Sequence, residues 1–239
     1  MESPSVDNTR WLFDTSRFQA QGYIHLPSFV HGAELEALQA EVLALISNKA
    51  LMVPREGSEH FFKKYQSTSY CYVDRHAHVP TLAALIEHPR LRHIVRELLP
   101  EEGLFHASLV QYHKAGEGQA IPWHQDIDPE TVGAGQMFNF LLYPFDTSLE
   151  SGALHVVEGS HGNKRLPSGE PHGDLPGQKQ LCPKAGDLVI TDCTLFHKVN
   201  HNTSGRDRVS INMRFRNGAL DRKQTSVGIY RNGRVNYAG

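Results

Sequence analysis

The segment Pro122-Trp123-His124-Gln125-Asp126 sets an imidazole and a carboxylate two positions apart. Side chains alternate along an extended backbone, so His124 and Asp126 fall on the same side of a strand and can reach one metal ion. A distant histidine, His197 in Leu195-Phe196-His197, completes a set of two imidazoles and one carboxylate. Three such ligands on one face of an octahedral ion leave three positions open. That is the facial triad of non-haem Fe(II) oxygenases rather than a closed structural zinc site, and an open metal predicts chemistry. A bare HxD pair is a frequent accident in a chain with 15 histidines and 26 acidic residues, so its surroundings must decide.

Asp126 is followed by Met137-Phe138-Asn139-Phe140-Leu141-Leu142-Tyr143, and then by Ser151-Gly152-Ala153-Leu154-His155-Val156-Val157-Glu158-Gly159-Ser160-His161. Ala185-Gly186-Asp187-Leu188-Val189-Ile190 comes next, before His197 and Arg208. In this order and spacing, over about residues 18 to 217, the chain resembles the phytanoyl-CoA dioxygenase family of Fe(II)/2-oxoglutarate oxygenases. The resemblance implies Fe(II) on His124, Asp126 and His197, with 2-oxoglutarate as cosubstrate and O2 as oxidant. It also puts the arginine that holds the far carboxylate of 2-oxoglutarate at Arg208, eleven positions past His197. The chemistry agrees, because a guanidinium presents a planar fork that pairs bidentately with a carboxylate.

In Arg208 to Arg216, the residues Arg208, Ser210, Asn212, Arg214 and Arg216 alternate with Val209, Ile211, Met213 and Phe215. The polar face suits a strand turned toward a ligand-filled barrel, although the same alternation also describes a half-exposed strand in water. The distance to His197 favours the first reading for Arg208 and Ser210. Arg214 and Arg216 either meet an anionic substrate or reach solvent. Gln111 and Asn139 occupy positions where similar enzymes place amides near the cosubstrate, and each also fits a structural hydrogen-bonding role. Tyr70 and Tyr72 are the substrate-pocket candidates of residues 50–80, a region that often supplies part of the pocket in this family. Trp123 and Gln125 are expected to point away from the metal and pack. His201 is declined because its four-residue spacing from His197 joins ligands only on a helix, His161 because the resemblance implies a structural histidine there, and Asp187 because it reads as a turn residue at a strand start.

The elements that must position these groups are legible from periodicity. Ala33 to Ser47 places Leu35, Leu38, Val42, Leu45 and Ile46 on one helical stripe, and further helices are predicted over 81–88 and 89–99. From Ala107 the chain turns to short runs bounded by Gly, Pro, Asn and Asp. They predict a mainly β double-stranded β-helix, or cupin-like jelly roll, with flanking helices. Strands are expected at 108–113, around the HxD pair, and at 136–145, 153–157, 187–191, 194–199 and 208–216.

At 239 residues the chain is long enough for one well-buried core. We read it as a single catalytic domain: a polar arm over 1–15, mostly helical support and lid over 16–106, the jelly-roll core over 107–217 and a C-terminal extension over 218–239. The formal net charge of −2 is spread along the chain, which argues against nucleic-acid and anionic-membrane partners. Cys71, Cys182 and Cys193 form no CxxC pair and read as free thiols. With no signal-like N-terminus and no membrane-length apolar run, a cytoplasmic monomer or homodimer acting on a small molecule is expected.

The reaction these features imply is oxidation of an unactivated C–H bond: hydroxylation, desaturation or ring closure, with release of succinate and CO2. Asp126 fills the position that a halide would need. The alternatives are a non-catalytic cupin-like binding module, or a hydrolase or isomerase using the same triad. The first would have lost a ligand or the arginine, and the second has no need of Arg208.

Overall fold

The computed structural model describes residues 13–52, 70–116, 120–127, 129, 132–162 and 170–220, with the backbone of 226–231 and 233–238. Most of the N-terminal arm, and residues 53–69 of the expected lid, lie outside the described residues.

Helix α1 (Thr15–Gln21) is capped by Asp14, whose side chain accepts from the Arg17 amide at 2.9 Å, and is closed by Gly22. Helix α2 (Gly32–Ser47) buries Leu38, Val42 and Leu45 along the expected stripe. Helices α3 (Pro80–Glu87) and α4 (Pro89–Leu98) each begin on a proline, where a missing N–H costs nothing, and bury Leu82, Leu85, Ile86, Leu91, Ile94 and Val95. The three predicted spans agree with the observed helices to within a residue.

Two six-stranded antiparallel sheets carry the rest. The major sheet has the order β1 (Tyr23–Leu26), β8 (Leu188–Asp192), β5 (Met137–Leu142), β10 (Arg208–Asn217), β3 (Gly103–His113), β2 (Tyr70–Val73). The minor sheet runs β12 (Gly233–Ala238), β11 (Ser226–Arg231), β4 (Ile121–Gln125), β9 (His197–Val199), β6 (Leu154–Val157), β7 (Gln178–Leu181). Between β3 and β10 the chain passes back and forth from one sheet to the other, which is the winding of a double-stranded β-helix.

The strands extend beyond the expected core at both ends. Residues 16–106 supply β1 and β2 as well as helices, and residues 226–238 form a hairpin whose first strand pairs Ile229 with His124. The C-terminal segment is therefore part of the minor sheet rather than an appendage. Strand β7 is absent from the sequence reading because Gln178-Lys179-Gln180-Leu181 is half exposed and has no apolar alternation.

Strand β10 shows how the sheets divide polar from apolar. Val209, Ile211, Met213 and Phe215 join the cluster that packs under the helices with Leu38, Val42 and Leu85. Arg208, Ser210 and Asn212, on the other face, are only 3%, 2% and 7% exposed, so this side faces the interior between the sheets and not water. Much of that interior is filled by Tyr23, Leu141 and Val189 from the major sheet against Ile121, Leu154 and Val156 from the minor one. The remainder is polar and contains the site.

Candidate metal centre

His124 sits near the end of β4 and His197 opens β9, and the two are register partners. Asp126 follows β4, its amide donating to the Cys193 carbonyl at 2.8 Å. The imidazole centroids lie 4.0 Å apart. Each ring is oriented by its own backbone: His124 Nδ1 meets the Pro122 carbonyl at 2.8 Å, and His197 Nδ1 meets the Leu195 carbonyl at 2.8 Å. A carbonyl only accepts, so Nδ1 carries the proton and Nε2 keeps its lone pair for a metal. Nε2 of His124 is 3.5 Å from Asp126 Oδ1, and Nε2 of His197 is 3.8 Å from Oδ2. The three ligand atoms lie within 4.8 Å of one another, and no other described His, Cys, Asp and Glu residues form such a group.

The electrostatics suit a cation. Burial, reinforced by neighbouring His124, pushes His197 down to about 4, so the ring is neutral as a ligand must be. Burial alone would raise Asp126, but Arg214 and the two histidines outweigh it and hold the carboxylate well below its usual range. Behind the candidate ligands, Trp123 and Phe196 stack with centroids 5.0 Å apart and are fully buried. Lys198 Nζ lies 5.2 Å over the Trp123 ring and donates to the carbonyls of His172 and Gly173 and to Asp174 Oδ1 at 2.8–3.0 Å. Trp123 and Gln125 thus pack away from the triad as their alternation predicts, Gln125 donating to the Thr194 carbonyl.

Arg208 faces the same interior from the major sheet, opposite His113, and Ser210 is opposite Gln111 on the same face. The guanidinium is buried, Nε and Nη1 have no hydrogen-bond partner, and no carboxylate among the described residues pairs with it. Burial lowers its pKa, against the opposing pull of Tyr143, whose ring centroid is 5.8 Å from Cζ. Tyr143 is its side-chain hydrogen-bond partner, and a buried guanidinium without a carboxylate is costly. A ligand carboxylate is the group whose charge and geometry would complete it.

Asn139 is committed to the triad rather than to a cosubstrate. Its Nδ2 donates to Asp126 Oδ2 at 2.6 Å, and its Oδ1 accepts from Asn212 Nδ2 and Arg214 Nε, both at 2.8 Å. Arg214, expected either at a substrate or in solvent, instead places Nη2 2.9 Å from Asp126 Oδ2. The tyrosine expectations need correction. Tyr70 and Tyr72 pair with Tyr112 and Val110 on the helix-covered face of the major sheet, while Cys71 pairs with Gln111. Tyr72 is 1% exposed and donates to the Ile46 carbonyl at 2.9 Å, so it braces α2 on the face of the sheet away from the triad. A shift of one residue turns the whole strand over.

Tyr143 and Thr191 adjoin these groups without having been singled out from the sequence, and Asn212, placed on the polar face of its strand, bonds Asn139. Period-two alternation from Asn139 through Leu141 already leads to Tyr143, and from Arg208 it leads to Asn212. Thr191 carried no such signal. The declined residues lie elsewhere: His161 Nε2 meets the Gln19 carbonyl at 2.9 Å, and the His201 ring stands beside His172.

The chain is similar to several known proteins. The chain is 23% identical over 241 residues to an ectoine dioxygenase of Sphingopyxis alaskensis, covering 89% of this chain and 77% of that protein. It is 25% identical over 221 residues to the ectoine dioxygenase of Halomonas elongata, covering 78% and 64%. Among solved structures, EctD from S. alaskensis with 2-oxoglutarate and 5-hydroxyectoine superposes with a TM-score of 0.69 at 24% identity, covering 84% of this chain and 74% of that one. The non-haem α-ketoglutarate-dependent epimerase SnoN from nogalamycin biosynthesis gives 0.66 at 18% identity, covering 90% and 81%. The phytanoyl-CoA dioxygenase (PhyH) family matches residues 18–210. On that match the chain belongs to the phytanoyl-CoA dioxygenase family of Fe(II)- and 2-oxoglutarate-dependent oxygenases.

Proposed function

We propose that this protein hydroxylates an unactivated C–H bond of a small metabolite, with His124, Asp126 and His197 holding Fe(II) and Arg208 holding the distal carboxylate of 2-oxoglutarate. One observation carries the reading. A three-ligand cluster faces the same interior as a buried arginine that lacks an anion. Neither a hydrolase nor a passive binding barrel needs that pairing. Fe(II) with bound 2-oxoglutarate supplies the oxidising power, converting O2 and the keto acid to succinate and CO2 as the substrate is oxidised.

The chain's own contribution is orientation and exclusion. The Pro122 and Leu195 carbonyls fix both imidazoles with Nε2 forward. Arg208, with Tyr143 beside it, offers the cosubstrate a dry, directional anchor, so that its reactive end meets the metal in one pose. Ser210 and Gln111 line the same face. The apolar packing of Leu141, Val189 and Leu154 keeps bulk water from the adjacent interior. The ectoine dioxygenases among the relatives support a small-molecule substrate, and no helix among the described residues is long and apolar enough to cross a membrane.

The test is 2-oxoglutarate turnover on metabolite pools, scored as substrate-stimulated succinate release. His124→Ala and His197→Ala should abolish Fe(II) binding and turnover with the fold retained, as read by circular dichroism, because open-site ligands mainly serve catalysis. Wild-type succinate release from either variant would remove the triad from the mechanism.

A further inference from the structure

The two oxygens of Asp126 are not equivalent. Oδ2 accepts from Asn139 Nδ2 at 2.6 Å, faces Arg214 Nη2 at 2.9 Å and lies 3.8 Å from His197 Nε2, whereas Oδ1 takes neither donor and lies 3.5 Å from His124 Nε2. Arg214 is itself held in place, because its Nε donates to Asn139 Oδ1 at 2.8 Å. Carboxylate, amide and guanidinium therefore close a small ring of hydrogen bonds. It is largely screened from solvent, with the side chains of Arg214 and Asp126 12% and 13% exposed.

We infer that Arg214 is a positioning residue that keeps Asp126 Oδ2 off the metal, so that the carboxylate coordinates through Oδ1 alone. This rests on the triad reading above. A carboxylate whose oxygens are both free can bind a cation through one or both. A second oxygen on the iron would occupy one of the three positions that a bidentate cosubstrate and O2 require. Two donors on Oδ2 oppose that mode, and Arg214 supplies the charged one. The competing role is a substrate anchor. The contact with Asp126 makes the ligand itself the arginine's partner.

Two opposed effects follow from removing Arg214. The site loses a cation that repels the metal, and Asp126 loses its orientation. Metal affinity in Arg214→Met should therefore stay within about tenfold of wild type, while affinity for 2-oxoglutarate falls by about ten- to a hundredfold, the size of effect that partners of metal ligands have on metal affinity or activity. Arg214→Lys keeps the charge but cannot hold Asp126 and Asn139 together, and should fall between. Two readouts independent of turnover apply: titration of 2-oxoglutarate into the anaerobic Fe(II) protein by its charge-transfer band, and the d–d spectrum of the Co(II)-substituted protein without cosubstrate. The second should change in Arg214→Met and in Asn139→Ala if Asp126 alters its coordination.

Wild-type 2-oxoglutarate affinity and Co(II) spectra in folded Arg214→Met and Arg214→Lys would overturn the inference. With those results, a wild type that binds metal and a His124→Ala that does not would leave the triad standing. A wild type that takes up no metal would overturn both readings.

Discussion

Arg208 is the residue on which cosubstrate recognition turns. Its Nε and Nη1 are buried without partners among the described residues, so a bound carboxylate would make charge-assisted bonds in a nearly dry environment. Truncation to alanine removes those bonds and leaves the carboxylate buried and unpaired, a loss on the order of 2–5 kcal/mol. That predicts roughly thirty- to several-thousand-fold weaker 2-oxoglutarate binding in anaerobic titration of Arg208→Ala. Lysine should rescue it only in part, because a point charge cannot reproduce the fork. Metal affinity should hardly change. At this scale the sequence was informative where chemistry imposes a spacing: His124, Asp126, His197 and Arg208 do face one interior. It was misleading at Tyr70 and Tyr72, because nothing local says which face of an isolated four-residue strand looks inward.

Elements were legible wherever burial imposes a period. The stripe of α2 and the alternation of β10 meet the same apolar layer from opposite sides, and each pattern records that contact. Strand β7 carries no comparable pattern and gains its place from backbone pairing with β6; the 226–238 hairpin does carry one, with Val227 and Ile229, and Val235 and Tyr237, alternating on either side of Asn232-Gly233, and its first strand pairs with β4. The Gly186-Asp187 motif has a specific reason. Gly186 has φ +86°, and a Cβ there would stand 2.0 Å from the Val30 carbonyl oxygen. Asp187 then receives the Ser28 amide at 2.9 Å, the Lys184 amide at 2.8 Å and the His25 ring at 2.7 Å, tying β1 and its following turn to β8. Gly186→Ala should cost about 1–3 kcal/mol from the backbone conformation alone, with the Val30 contact adding to it. A chain of this size should lose roughly 2–4 °C in Tm for each kcal/mol. An unchanged Tm would mean that this turn relaxes freely.

The whole molecule is a division of labour between two sheets. The minor sheet holds the three candidate ligands on β4, just beyond it, and on β9, while the major sheet holds Arg208 and the Asn139–Arg214 pair. A metal with 2-oxoglutarate would therefore bridge the sheets, and its binding energy would oppose their separation on unfolding. A ligand that binds only the native state stabilises it by RT ln(1 + [L]/Kd), about 2.7 kcal/mol at a hundredfold excess over Kd. Melting should thus rise when Fe(II), or a redox-inert divalent ion, is added to chelator-treated protein under anaerobic conditions, and rise again with 2-oxoglutarate. In His124→Ala both increments should vanish. In Arg208→Ala the metal increment should persist while the cosubstrate increment shrinks, because only the link to the major sheet has been cut. A cosubstrate increment of full size in Arg208→Ala would mean that 2-oxoglutarate does not span the interior, and its far carboxylate would have to be sought elsewhere on the minor sheet.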